Sequence, residues 1–137
     1  MNSKNQYLLL FSGKDWYSRL STAEIQNVID QSMGWFEELM SSGKGKAAQA
    51  LGRSGATISG KDGRIISDGP FAESKEALGG YLLLEVGSLE EAIAIARTSP
   101  ALRYGSTVEV RPLLDECPLQ SRVKQMQSES QLTHAAA

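Results

Sequence analysis

The chain is short of the residues that usually announce a chemistry. It holds one cysteine, Cys117, so an internal disulfide is excluded and a reducing, bacterial-type cytoplasm is the expected location. It holds one histidine, His134, close to the C-terminus. Cys117 therefore has no histidine base within reach by sequence and reads poorly as a catalytic thiol. The carboxylates likewise lack the imidazoles of a transition-metal site, and no metal or cofactor is expected. No apolar run approaches the ~18 residues of a membrane span, and the run at residues 7–11 is too short for the core of a signal peptide. A surplus of positive charge is also missing. The 14 basic side chains face 16 acidic ones, the net charge is −2, and no basic stripe is present, which argues against nucleic acid as a partner. Neither the GxGxxG nor the Walker spacing occurs, and Lys44-Gly45-Lys46 is only a short basic turn.

What is there fits one soluble domain. A chain of 137 residues, 41% of them hydrophobic, can bury enough surface for a single core without staples. Residues 7–11 (YLLLF) read as a buried strand. Ser21 and Glu24 have capping-box spacing. Apolar residues then recur at Ile25, Val28, Ile29, Met33, Phe36, Leu39 and Met40, which predicts a helix with one buried face, closed near Gly43. Residues 49–55 read as a small-residue loop. Asp62-Gly63 between two β-prone runs, 56–59 and 64–67, predicts a hairpin, because both central residues of that turn need positive φ. Gly79-Gly80 opens a strand at 81–86. Ser88 to Glu91 is a second capping box, starting a helix that ends before Pro100. Residues 106–112 alternate cleanly as a last strand, with Val108 and Val110 on one side. The domain is taken as 1–117. The tail, 118–137, is rich in Gln and Ser and is expected to be disordered or a loosely attached helix.

The order strand, helix, hairpin, strand, helix, strand predicts an α+β fold: a ferredoxin-like antiparallel sheet with two helices on one face. If Leu82, Leu84 and Val86 face the helices, then Tyr81, Leu83 and Glu85 face the open side, with Glu109 and Arg111. Tyr7, Leu9 and Phe11, or their alternates, join them. So mixed a face suits a second copy of the same chain better than water, and a homodimer is expected. A cavity between two such faces would be apolar with a few convergent charges.

The residues carry a resemblance. Asp68-Gly69-Pro70-Phe71-Ala72-Glu73-Ser74-Lys75-Glu76, then Leu78-Gly79-Gly80-Tyr81, then Val108-Glu109-Val110-Arg111-Pro112 resemble the YCII-related proteins with the DGPF motif, over about 6–113. The resemblance implies a dimeric α/β barrel of ferredoxin-like protomers in the bacterial cytoplasm, in a family without one settled activity. Some members look like companions of extracytoplasmic-function sigma factors. Others pair a histidine with an aspartate in the cleft. That pair cannot be carried over, because His134 sits in the tail.

The candidate site residues each have two readings. Asp68 is either a partly desolvated acid/base or the residue that starts a turn, with Gly69 taking the unusual φ. Phe71 is a ligand contact or a core plug. Glu73, Lys75 and Glu76 are a weak cation site or a solvated loop. Arg111, with Tyr81, Glu85 and Glu109, either clamps an anion or forms an ion pair at the interface. The segment Asp15-Trp16-Tyr17 rims a cavity or simply packs. Together these give a protein that binds a small, anionic molecule in a cavity beside the DGPF loop. If it is an enzyme, Asp68 is the base, Arg111 the anion anchor and Tyr81 the orienting group. The alternative is a regulatory interaction module that partners a sigma factor.

Overall fold

The computed structural model of the protein describes residues 5–13, 15–68 and 78–136, with Asp68 and residues 133–136 described in backbone only. Strand β1 (Gln6–Ser12) leads into helix α1 (Thr22–Ser41). The capping box forms: the Glu24 backbone N–H donates to Ser21 Oγ at 3.1 Å, and the Ser21 N–H donates to Glu24 Oε1 at 2.9 Å. That satisfies two amides that the first helical turn leaves open. Beyond the helix, Gly43 has φ 82, the left-handed stop expected of it. Helix α2 (Leu89–Ala96) starts at Ser88, whose Oγ accepts from the Glu91 N–H at 3.1 Å. Here the Glu91 carboxylate reaches one residue further back, to the Gly87 N–H, so the box is only half made.

Four strands form one antiparallel sheet in the order β2-β5-β1-β6, from β2 (Gly45–Ala50), β5 (Leu78–Glu85) and β6 (Thr107–Pro112) around β1. This is the ferredoxin-like arrangement expected from sequence, but two of its strands differ from that expectation. Residues 45–50, read in part as loop, are the edge strand β2. They hold no β-branched or aromatic residue, so the pairing with β5, not local preference, makes the strand. Strand β5 also starts earlier, with Gly79 and Gly80 inside it.

The predicted hairpin is present as a separate two-stranded sheet of β3 (Ala56–Ser59) and β4 (Ile65–Asp68). Asp62 and Gly63 have φ 61 and 66 at its turn, as the Asp-Gly signal requires. Residues of the polar tail form a third helix, α3 (Pro118–Ala136), whose described side chains are exposed.

Both α1 and α2 lie on one face of the large sheet, α1 toward β2 and α2 toward β1 and β6. The core between them holds Tyr7, Leu9, Leu39, Leu82, Leu84, Val86, Ala92 and Ala96. Leu9, Leu82 and Leu84 are fully buried, each worth roughly 1.5–3 kcal/mol on burial. The alternation in β5 is thus as expected, and in β1 it is Tyr7, Leu9 and Phe11 that face the helices, leaving Leu8 and Leu10 outside. The α1 stripe is only partly covered. Val28 and Leu39 are buried, while Ile29 and Met33 remain exposed. Among the described residues, no helix is long and apolar enough to cross a membrane.

Candidate functional site

A cavity of about 730 Å³ lies at one end of the large sheet, on the α1 side. The sequence explains why it is there. Across this end β2 and the adjoining part of β5 carry little bulk, where Gly80 pairs with Ala50 two residues on from Ala48. The helix above cannot close down, because large rings hold it off. Phe11, Trp35 and Phe36 meet edge to face, with centroids 6.1, 5.9 and 5.0 Å apart. Trp35 is fixed further by its Nε1–H, which donates to Thr98 Oγ1 at 2.7 Å, while that hydroxyl donates to the Ile95 carbonyl at 2.6 Å. Small residues below and locked rings above leave a space that the described residues do not fill. Ser99 and Ser106 border the same space and are buried. The Ser106 hydroxyl donates to the Ser12 carbonyl at 3.3 Å.

The mouth carries the polar chemistry. The turn after β1 is closed by the Ser18 N–H on the Asp15 carbonyl at 3.0 Å, with Asp15 at φ 50. It presents Trp16 and Tyr17 to the cavity, with ring centroids 5.7 Å apart. From the loop after β2, Arg53 reaches across to this turn. Its Nη2 donates to Asp15 Oδ1 at 3.2 Å and to the Tyr17 hydroxyl, and its Cζ stands 5.8 Å from the centre of the Tyr17 ring. Among the described residues bordering the cavity, Arg53 is the one charged side chain.

The residues singled out from sequence fall in two places. Tyr81 is half-buried and borders the cavity. Trp16 and Tyr17 border it too, on the α1 side of the sheet and not between open sheet faces. Glu85, Glu109 and Arg111 do not border it. Glu109 and Arg111 pair with each other, Arg111 Nη1 lying 3.1 Å from Glu109 Oε2. Glu85 lies 3.9 Å from Lys46 Nζ and accepts from Gln6 Nε2 at 3.2 Å. Both charged groups are exposed at the margins of the open sheet face, where Leu8, Leu10, Leu83 and Ala47 are half-buried. Asp68 is the last residue of β4, its backbone opposite Ala56. Its carboxylate lies outside the described residues, as do Phe71, Glu73, Lys75 and Glu76. Among the described residues no cluster of three or more His, Cys, Asp or Glu is placed to hold a metal.

Arg53 is the residue that sequence reasoning missed. It stands in Leu51-Gly52-Arg53-Ser54-Gly55, where a lone charge between glycines reads as a solvated loop. Nothing local signals that Asp15 and Tyr17 wait across the gap.

Fifty residues of the chain, 36% of it, are 50% identical to part of an uncharacterised protein of Rhizobium meliloti (strain 1021), and the matched stretch spans 40% of that relative's length. The YCII-related domain model matches residues 7–116, from the second residue of β1 to just beyond β6. That range contains the whole four-stranded sheet but for its first residue, both packed helices and the cavity, and the chain belongs to the YCII-related domain family.

Proposed function

We propose that the protein binds a small, largely apolar molecule in the cavity under α1, as a homodimer whose open sheet faces meet. The cavity carries the proposal. At about 730 Å³ it lies within the ~300–1,000 Å³ usual for small-molecule sites, and it has their make-up of ring walls with a few polar groups. A catalytic version adds Asp68, at the end of β4, as the acid/base.

Both tryptophans of the chain, Trp16 and Trp35, border the cavity, so intrinsic fluorescence reports its occupancy. The test is a titration with phenylnaphthylamine, a neutral apolar probe. Saturable quenching at one probe per chain is expected, and Ala48→Leu, which fills the floor of the cavity, is expected to weaken it strongly. Quenching that never saturates, or that Ala48→Leu leaves unchanged, would refute the proposal.

One observation favours the alternative of a module that docks a protein partner such as a sigma factor. Helix α3 exposes Leu119, Val123 and Met126 at helical spacing along one side.

A further inference from the structure

Resting on that proposed cavity, we infer that its ligand is an aromatic carboxylate, and that Arg53 is the anchor of the carboxylate group. The anion-anchor role moves from Arg111, which is spent on Glu109 away from the cavity, to a residue at its mouth.

Three observations meet at Arg53. The cavity wall is made of rings, which favours a flat apolar body. Among the described residues the one charge on that wall is positive. The guanidinium is also held by only two of its five N–H donors among the described residues. Both of its bonds, to Asp15 and to the Tyr17 hydroxyl, fall on Nη2. Nη1 and Nε have no partner among the described residues. A carboxylate takes two parallel N–H donors of one guanidinium edge, and an edge with an open donor is available here.

The hold of Asp15 is weak enough to be exchanged. Its side chain is 47% exposed and that of Arg53 72%, and exposed pairs contribute little. Asp15 instead keeps Arg53 swung over the mouth, where the Tyr17 hydroxyl also holds it. An incoming carboxylate replaces Asp15 on Nη2 and adds a second bond at Nη1 or Nε. Asp15 is then a competitor for the anion, and its removal frees the anchor.

Naphthoate and its neutral amide, naphthamide, share a ring body and differ in the charge, so calorimetric titration of both separates the anchor from the cavity. The parent protein is expected to bind naphthoate at least about tenfold tighter than naphthamide, the scale of one charge-assisted contact. Arg53→Gln is expected to remove that preference and bind both as the parent binds the amide. Asp15→Asn is expected to tighten naphthoate and leave naphthamide unchanged. Equal binding of the two by the parent, or a preference that survives Arg53→Gln, would overturn the anchor while leaving the cavity standing. Binding of neither would overturn both.

Discussion

At the scale of single residues, Gly80 shows how the cavity is kept open. A methyl group added there would lie 3.0 Å from the Gln49 carbonyl oxygen and 3.5 Å from Ala50 Cα, both on the neighbouring backbone of β2. Backbone cannot turn aside as a long side chain does, so β2 would have to move. Gly80→Ala is expected to cost about 1–3 kcal/mol, the usual range for overpacking, seen as a lower denaturant midpoint with an unchanged slope. An unchanged midpoint would show that the strands are not held this closely. The sequence marked Gly79-Gly80 as the opening of a strand, and the structure places both within it, with Gly80 paired to Phe11 on one side and Ala50 on the other. What a residue is next to was legible where one strand sufficed, as in the alternation of Leu82, Leu84 and Val86. It was not legible for Arg53, because its contacts with Asp15 and Tyr17 join loops far apart in the chain.

At the scale of elements, legibility followed local signal. Helices α1 and α2 were readable because caps and apolar spacing lie within the elements themselves. The β3–β4 hairpin was readable from two turn residues. Strand β2 was hidden, because an alanine- and glycine-rich edge strand is specified by its partner β5. Its small residues are also the cavity floor, so the same composition that hid the strand makes the site. Helix α3 stands at the other extreme, with described side chains that are exposed and take no part in the core. A chain ending at Cys117 is therefore expected to melt within about 2 °C of the full-length protein, as surface changes do, and to bind phenylnaphthylamine equally well. A fall of many degrees would mean that α3 is part of the folded unit. Retained probe binding with loss of a protein partner would assign α3 to docking and the cavity to the ligand.

At the scale of the whole molecule, the two faces of the large sheet have different duties. One is covered by α1 and α2 and holds the core and the cavity. On the other no helix packs among the described residues, yet Leu8, Leu10 and Leu83 run across it side by side, since Leu8 pairs with Leu83 in β5 and Leu10 with Tyr81. A ridge of this kind on an open sheet costs free energy in water at about 25 cal/mol per Å². The charges at its margins, Lys46 with Glu85 and Glu109 with Arg111, bring both signs to the rim, so a second copy turned by a two-fold axis can meet it without like charges opposed. A stable pairing needs roughly 1,200–2,000 Å² in total, which calls for most of this face and not its edge alone. Leu83→Glu places a carboxylate in the middle of the ridge, where a partner would have to bury it. Sedimentation equilibrium is expected to give twice the chain mass for the parent and the single chain mass for the variant. Its far-ultraviolet circular dichroism is expected to match the parent, because Leu83 points away from the core. A parent that sediments as a single chain at every concentration would leave the ridge without a second copy, and the cavity, which lies on the other face and is built from one chain, would then have to work alone.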